Sequence, residues 1–502
     1  MNFRLILGGC VFFGLALRLY LIGHAGSVHS DSISYLNIAA RHAQGGSVFD
    51  PIFPPVFPMC IAWLMPLFDS AETAARILSA LAGTLALIPA TLLIRQLSNE
   101  RVALLTAALI VVHPALTHYA TYALSESLFT LVLLTVILLA WSCLQRGGQL
   151  RFALAGMLCG IAALVRPEGA AYLGLLCLIA VYRLRNREGL PRDLLVSISL
   201  AIVAFLIISL PYANYIKAET GSWSISGKTQ IMLTKARTVG QAHVDLAVER
   251  EQKGSNKPTG PLSEWFGDPL TTMRRVVMNT HLAEKYVVAG LFPPLLLIVT
   301  GLGIYFVDWR SRERLFVLAC LLPYLPVLLF IVEARIFLPL VPLLLYFAAQ
   351  GVSTFSDRMT KRKEEGLCRT DLIITLLLIL SVLPYTLRPL YRSGENDIYM
   401  KAGQWIRESA PGAPRIAFPR SVIGYYAKGQ TLPIPEGDVS EILEQLRGDR
   451  ATHLAVDSRL VATLRPQLIG LLSPEHRQDL LPVHERVDEA GQRLVVYRIT
   501  HE

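Results

Sequence analysis

The chain has 502 residues, of which 53% are hydrophobic and only 17% are charged, and its mean hydropathy is +0.46. A soluble domain carries about 25% charged residues, whereas the apolar residues here gather in blocks of about 20, the length that a bilayer requires. The composition therefore excludes a soluble enzyme, a disordered chain and a disulfide scaffold.

Charge and cysteine content narrow the class further. The formal net charge is +9, and most basic residues stand in short gaps between apolar blocks, which is typical of cytoplasmic loops. Nucleic acid is therefore not expected as a partner. The seven cysteines show no CxxC or Cys/His metal spacing and predict no disulfide framework.

The apolar blocks predict an all-α polytopic membrane protein with about eleven transmembrane helices. The blocks lie at 5–23, 73–94, 102–118, 123–143, 152–165, 168–184, 194–213, 286–306, 314–332, 336–355 and 371–390. With a cytoplasmic N-terminus every inside loop is basic, as the positive-inside rule demands. Residues 52–68 are apolar but hold four prolines, which predicts a re-entrant or interfacial piece instead of a span.

The last part of the chain, 391–502, is polar and mixed in charge. Its β-like runs are Arg415–Phe418, His453–Val456 and Arg493–Ile499, and its helical patterns are Asp397–Ser409 and Val439–Leu446. An odd number of spans leaves this part outside the cytoplasm, so the sequence predicts a small soluble extracytoplasmic α/β domain. Compact loops favour a bacterial plasma (inner) membrane.

Ionisable residues at a membrane boundary are functional candidates by default. His29-Ser30-Asp31 follows the first span, and Tyr35 lies one helical turn after Asp31. The alternative is that Asp31 caps a helix running to about His42.

Two arginines stand on the predicted outer side, against the positive-inside trend. Arg166 opens the sequence Arg-Pro-Glu-Gly, in which Glu168 suits a helix start. Arg335 follows Glu333 at the head of a late span, where a cation opposes the helix dipole. A bound phosphate would explain both arginines; a local Glu333–Arg335 pair is the alternative.

A further polar group occupies another outer turn. It consists of His113, His118, Tyr119, Tyr122 and Glu126. Two histidines five residues apart indicate a metal only weakly, and an aromatic interface belt with Ser125 as a helix cap is the alternative.

These motifs, in this order, resemble a known family. They are Asp31-x-x-x-Tyr35, the Pro-Pro pair at Pro54, Ala75-Arg76-Ile77-Leu78-Ser79, Ser125-Glu126-Ser127-Leu128-Phe129, Arg166-Pro167-Glu168-Gly169, Arg335-Ile336-Phe337-Leu338-Pro339 and Ile423-Gly424-Tyr425-Tyr426-Ala427-x-Gly429. The chain is similar, from residue 1 to about 430, to the GT-C fold membrane glycosyltransferases of family 39. That group includes dolichyl-phosphate-mannose protein mannosyltransferases and aminoarabinose transferases. One departure is that Ser32 stands where many members have a second acidic residue.

The resemblance implies sugar transfer from a polyprenyl-phosphate sugar to a glycan, lipid or protein acceptor at the extracytoplasmic face, with inversion. Asp31 would be the general base, and Arg335 with Arg166 would bind the donor phosphate. The supporting residues would be Tyr35, Glu168, Glu333, Glu126 and His29. No metal ligand is predicted, and a divalent metal (Mg²⁺ or Mn²⁺) is left open as a cofactor.

The resemblance also implies a division of the chain. Residues 1–390 would be a GT-C-like catalytic transmembrane domain with outer loops 24–72 and 214–285, and residues 391–502 the extracytoplasmic domain. The loop 214–285 would cover the site or bind the acceptor through Trp223, Lys228, His243 and Trp265.

Two other functions fit the same features. A flippase or transporter of a lipid-linked sugar would also have many spans, but transporters place polar groups near the bilayer midplane. A glycan polymerase or ligase would use a lipid-diphosphate donor, for which an acidic first loop is less expected.

Overall fold

The computed structural model describes residues 2–221, 223–226, 269–329, 332–361, 366–391, 397–410, 412–463, 466–472, 480–488 and 491–500. Lys228, His243 and Trp265 lie outside these residues. The chain forms two compact units. In its described part, the first unit holds the residues up to 23 and those from 38 to 388, and the second holds 24–37 and the residues from 389 onward.

Within the described residues, the chain is mainly helical as far as residue 391. In chain order they are α1 (Phe3–Ile22), α2 (Ser30–Ala43), α3 (Val56–Leu64), α4 (Ala71–Leu85), α5 (Leu87–Leu97), α6 (Glu100–Val112), α7 (Pro114–Tyr119), α8 (Glu126–Arg146), α9 (Gln149–Val165), α10 (Tyr172–Arg185), α11 (Pro191–Thr220), α12 (Pro269–Lys285), α13 (Pro294–Phe306), α14 (Arg312–Ala319), α15 (Val341–Thr360), α16 (Arg369–Thr386) and α17 (Arg388–Tyr391). Short 3₁₀ turns lie at Met65–Leu67, Pro167–Ala171, Leu322–Leu329 and Ala334–Leu340, and a π turn lies at Tyr286–Leu291.

Seven helical segments among the described residues are long and apolar enough to cross a membrane. They are Phe3–Ile22, Ala71–Leu97, Glu126–Arg146, Pro167–Arg185, Pro191–Thr220, Ala334–Thr360 and Arg369–Leu390. Three shorter apolar helices accompany them, at Val56–Leu67, Gln149–Val165 and Pro294–Phe306. The predicted all-α polytopic class is therefore confirmed.

The other four predicted spans are shorter or interrupted. The block at 102–118 divides into α6 and α7, and the block at 152–165 forms the 17-residue α9. In the block at 286–306 only Pro294–Phe306 is α-helical, and in 314–332 α14 gives way to a 3₁₀ turn. Prolines explain the interruptions at 114, 293 and 323, because proline lacks the N–H that continues a helix. Residues 52–68 form a nine-residue helix and a short turn, too short for a span, as expected.

Two glycines allow very close contacts between helices of the first unit. A Cβ atom on Gly156 of α9 would lie 2.1 Å from the carbonyl oxygen of Ala201 in α11, and one on Gly303 of α13 would lie 1.8 Å from that of Phe347 in α15. The backbones of these helix pairs therefore touch, which is how helices associate where lipid weakens the hydrophobic driving force.

A buried ion-pair network joins three helices of the first unit. Arg101 of α6 donates from Nε and Nη2 to the two carboxylate oxygens of Asp371 in α16, both at 2.7 Å. Its Nη1 donates to Asp357 of α15 at 2.7 Å. Arg101 and Asp371 are buried, so the pairing offsets the cost of removing both charges from water.

The second unit contains a five-stranded sheet. Its strands are β1 (Arg415–Ala417), β2 (Gln430–Leu432), β3 (His453–Asp457), β4 (Leu480–Val487) and β5 (Arg493–Ile499), in the order β2-β1-β3-β5-β4. The pairs of β1 with β2 and β3 are parallel, and those of β5 with β3 and β4 are antiparallel. Its helices are α18 (Asp397–Ser409), α19 (Val422–Tyr426), α20 (Val439–Gly448) and α21 (Ser458–Thr463), with a 3₁₀ turn at Pro466–Leu472. All three predicted strand segments are present; β2 and β4 were not predicted.

Candidate active site

Glu126 brings Arg166 and Arg335 together. It begins helix α8, where the helix dipole favours a carboxylate, and it is only 2% exposed. Its Oε1 accepts a hydrogen bond from Arg166 Nη1 at 2.7 Å and lies 3.6 Å from Arg335 Nη1. Two guanidinium groups from distant parts of the sequence therefore share one carboxylate oxygen.

The local sequence fixes Arg166 at the end of α9. Pro167 disfavours helical geometry at the preceding residue, and Arg166 is extended, with φ −150° and ψ 137°. Its Nη2 donates to Glu168 at 3.0 Å. Burial on its own lowers the pKa of Arg166, but the charges of Glu168 and Glu126 outweigh it and raise that pKa, so the guanidinium stays charged.

Arg335 lies in the 3₁₀ turn Ala334–Leu340, six residues before α15 begins at Val341. The expected conflict with the dipole of that α-helix is therefore reduced by distance. Its Nε donates to Glu333 Oε2 at 2.5 Å. The Glu333–Arg335 pair, which the sequence analysis gave as an alternative, is therefore present. Arg335 also lies close to Glu126.

The segment before α8 is anchored by the motif at 75–79. Arg76 donates from Nη1 to the carbonyl of Thr121 at 3.1 Å, and Ser79 donates to that of Leu124, also at 3.1 Å. These bonds fix the turn from which Glu126 emerges. Ser125 is the N-cap residue of α8, as expected, although its side chain makes no capping hydrogen bond.

Tyr119 shares the electrostatic surroundings of this cluster. Burial, together with the charge of Glu126, raises the pKa of Tyr119 to about 12. Its hydroxyl therefore keeps its proton at neutral pH and can act as a hydrogen-bond donor.

We call Arg166, Arg335 and Glu126, with Glu168 and Glu333, the arginine–glutamate cluster.

Asp31, His29 and Tyr35 belong to the second unit. Helix α2 runs over Ser30–Ala43, close to the predicted bounds, with Asp31 in its first turn. Asp31 is half-buried, His29 is exposed and Tyr35 is buried. The role of Asp31 as general base stays a prediction, as do the supporting roles of the other two residues.

Within the described part of the chain, no group of three or more His, Cys, Asp or Glu side chains is arranged to bind a metal ion. The histidines of the 113–126 turn make ring contacts instead. His118 packs edge-on against Tyr122 with centroids 4.6 Å apart, and His113 packs against Phe292 at 5.3 Å.

The structure also shows a buried arginine near this region, Arg18, to which the sequence analysis gave no role. It lies within α1 and is completely buried, and its Nη1 donates to the carbonyl of Gly14 at 2.9 Å. A Cβ on Gly83 of α4 would lie 3.6 Å from Arg18 Nε and 3.4 Å from the hydroxyl of Ser127, the neighbour of Glu126. The sequence feature that could have identified Arg18 is its position inside an apolar span, because ionisable residues within spans are usually functional.

Known structures share this fold. The oligosaccharyltransferase of Archaeoglobus fulgidus, crystallised with Zn and sulfate, aligns with a TM-score of 0.62 at 14% identity, covering 97% of this chain and 72% of its own. ArnT from Cupriavidus metallidurans, bound to undecaprenyl phosphate, aligns with a TM-score of 0.57 at 15% identity, covering 97% and 98%. At these identities the likeness shows the fold, and it confirms the GT-C-type architecture expected from the motifs.

The family comparison agrees with the fold. A model of the dolichyl-phosphate-mannose-protein mannosyltransferase family matches residues 53–212, about a third of the chain. The match includes Arg76, Glu126 and Arg166, whereas Asp31 and Arg335 lie outside it. The resemblance to this group is thereby confirmed over that region. No curated protein matches the chain.

Proposed function

We propose that this chain is an integral-membrane glycosyltransferase that transfers a sugar from a polyprenyl-phosphate donor to an acceptor at the extracytoplasmic face. The observation that carries the proposal is the pair of guanidinium groups on Glu126, in a fold shared with a protein that was crystallised with undecaprenyl phosphate. The acceptor is a glycan, a lipid or a protein.

The arginine–glutamate cluster suits a leaving phosphate. In a polyprenyl-phosphate sugar the phosphodiester gains negative charge as the bond to the sugar breaks, and preorganised guanidinium groups stabilise that charge. The Arg335 side chain is 21% exposed and its contact to Glu126 is long, at 3.6 Å. Arg335 is therefore the group that a phosphate can most readily recruit, while Arg166, closer to Glu126, supports it.

The five charged side chains of the cluster comprise two arginines and three glutamates. The carboxylates more than neutralise the arginines before the donor binds and give the cluster a formal charge of −1, so neither guanidinium is buried as an uncompensated charge. A phosphate must therefore displace a carboxylate from a guanidinium. A phosphodiester with one negative charge is repelled less by the remaining carboxylates than a diphosphate is, which favours a monophosphate donor.

The acceptor hydroxyl must lose a proton as it attacks the anomeric carbon. A carboxylate is a suitable general base for this step, and Asp31 is the proposed one, with His29 and Tyr35 as supporting residues. Inversion follows when the hydroxyl attacks from the face opposite to the leaving phosphate.

The basic loops support a cytoplasmic N-terminus, and with that orientation Asp31, Arg166, Arg335 and the residues after 390 would lie outside the cytoplasm. We propose a bacterial inner membrane as the location. Residues 1–390 would provide the catalytic transmembrane domain and residues 391–502 an extracytoplasmic domain.

The test is sugar transfer by the purified full-length protein in proteoliposomes, with a panel of undecaprenyl-phosphate sugars as donors and detection of released undecaprenyl phosphate. Arg335→Ala and Asp31→Asn should each reduce transfer by about a hundredfold or more, the usual loss when a catalytic group or an oxyanion donor is removed. Both variants should insert into the membrane normally.

Matched controls use the same substitutions at exposed positions. Asp69→Asn and Arg388→Ala should keep the wild-type rate, because both side chains are exposed.

Full activity of Asp31→Asn would remove Asp31 from the mechanism as the general base. Movement of a sugar lipid across the bilayer without its consumption would indicate a transporter, and activity restricted to diphosphate donors would indicate a polymerase or ligase.

A further inference from the structure

The motif at 423–429 forms a rigid support in the second unit. A Cβ on Gly424 would lie 2.2 Å from Thr431 Oγ1, and one on Gly429 would lie 2.2 Å from the carbonyl of Pro414. Helix α19 and its C-terminal turn are therefore pressed against β2 and the residue before β1. A larger residue than glycine at either position would displace the short helix.

The same helix is in close contact with α18. A Cβ on Gly403 would lie 2.6 Å from the carbonyl of Ile423 and 2.7 Å from Cβ of Tyr426. Tyr425 and Tyr426 pack edge-on with centroids 5.2 Å apart. The position of the Tyr426 side chain is thus determined from several sides.

The Tyr426 hydroxyl binds the segment that precedes Asp31. The backbone N–H of Val28 donates to Tyr426 Oη at 3.1 Å, across 398 residues of sequence. Ser27 and Val28 are 2% and 3% exposed. A buried backbone N–H needs a partner, so this bond contributes to the placement of the segment.

Val28 lies just before helix α2. The carbonyl of His29 accepts the first helical hydrogen bond from Ile33 at 3.2 Å, and Asp31 lies in that first turn. An anchor at Val28 therefore sets where α2 begins and how its first turn is oriented.

We propose that Tyr426 is a positioning residue for Asp31, and that the C-terminal domain orients the catalytic carboxylate. This inference rests on the proposed role of Asp31 as general base. It gives the C-terminal domain a part in the reaction without contact between Tyr426 and the substrate.

The experiment compares the full-length wild type with Tyr426→Phe, which removes only the hydroxyl. Hydrogen–deuterium exchange of the peptide covering 24–37 should speed up by about fivefold, since the lost hydrogen bond is of ordinary strength. With an undecaprenyl-phosphate sugar that the wild type uses, kcat should fall by about tenfold, because a small misplacement of a reacting group is costly. The KM for the donor should stay within about twofold, because the substitution leaves the arginine–glutamate cluster untouched.

Tyr497→Phe is the matched control. The Tyr497 hydroxyl is buried in the same unit and donates to the carbonyl of Leu471 at 2.7 Å. Its loss should weaken the sheet to a similar extent while leaving both the exchange of 24–37 and kcat unchanged.

The outcomes separate this inference from the proposed function. Unchanged exchange of 24–37 in Tyr426→Phe, or unchanged kcat, overturns the positioning role while the glycosyltransferase stands. An equal fall of kcat in Tyr497→Phe also overturns it, since the effect would then be one of domain stability. A wild type that transfers sugar from none of the donors overturns the proposed function itself, and faster exchange of 24–37 would then show an anchor without a catalytic role.

Discussion

Replacing Glu126 by Gln tests whether one carboxylate holds both arginines in place. Gln keeps the size of the side chain and one carbonyl oxygen but removes the negative charge. A hydrogen bond to a charged group contributes about 1.5–3 kcal/mol. In the variant the guanidinium of Arg166 keeps its charge and only the acceptor becomes neutral, so the 2.7 Å bond should weaken by part of that energy, about 1–2 kcal/mol, whereas the 3.6 Å contact of Arg335 contributes less.

If this energy positions the arginines for the leaving phosphate, kcat/KM for the donor should fall by about tenfold, since about 1.4 kcal/mol corresponds to a factor of ten. The assay is release of undecaprenyl phosphate in proteoliposomes, with thermal unfolding in detergent measured in parallel.

Glu333→Gln provides the comparison. The Glu333 side chain is 28% exposed against 2% for Glu126, so water compensates more of the lost charge and the effect should be smaller. A Glu126→Gln variant with wild-type kcat/KM and an unchanged unfolding temperature would refute the shared-carboxylate argument.

Three further predictions concern stability. Arg101→Leu leaves Asp371 as a buried carboxylate without its arginine and should destabilise the protein by about 3–5 kcal/mol. Circular dichroism should detect this loss as a lower unfolding temperature, and an unchanged temperature would contradict the ion-pair network. Gly156→Ala should separate α9 from α11 and reduce the folded fraction in size-exclusion chromatography, whereas Gly174→Ala, with nothing within 4 Å of the added Cβ, should behave as the wild type. Burial lowers the pKa of His453 to about 4, while in the unfolded chain the histidine takes up a proton below about 6.5. The contribution of His453 to the stability of the second unit should therefore be constant above pH 6.5 and fall by up to about 3 kcal/mol toward pH 4. Urea unfolding should show this slope. Burial also lowers the pKa of His484 in the same unit, so the slope should shrink but not vanish in His453→Leu, and an undiminished slope would contradict the assignment.

Local patterns predicted most of the helical architecture. Apolar blocks located all seven long apolar helices of the described residues, because hydropathy is a property of consecutive residues and a helix satisfies its backbone within itself. Helix α18 lies at the predicted bounds, Asp397–Ser409, because its apolar residues recur with a helical period. The pattern failed where prolines interrupt apolar sequence, as at 314–332, because hydropathy does not register a missing N–H.

The strands of the sheet also show what local sequence patterns can and cannot predict. Strands β1, β3 and β5 are rich in apolar residues and were predicted. β2 is three residues long with a polar start, and β4 contains Pro482 and the charged pair Glu485 and Arg486, so neither carries a strand pattern. Their pairing with β1 and β5 decides their conformation.

The sequence by itself determined the membrane class, the polar residues at the ends of the apolar blocks and the resemblance to lipid-linked-sugar transferases, since composition and motifs are read along the chain. Only the tertiary structure decided that Arg166 and Arg335 meet on Glu126 and that Tyr426 binds the amide of Val28. Residues far apart in sequence become partners only through the packing of whole helices, and no local pattern records which carboxylate or amide a distant side chain will reach.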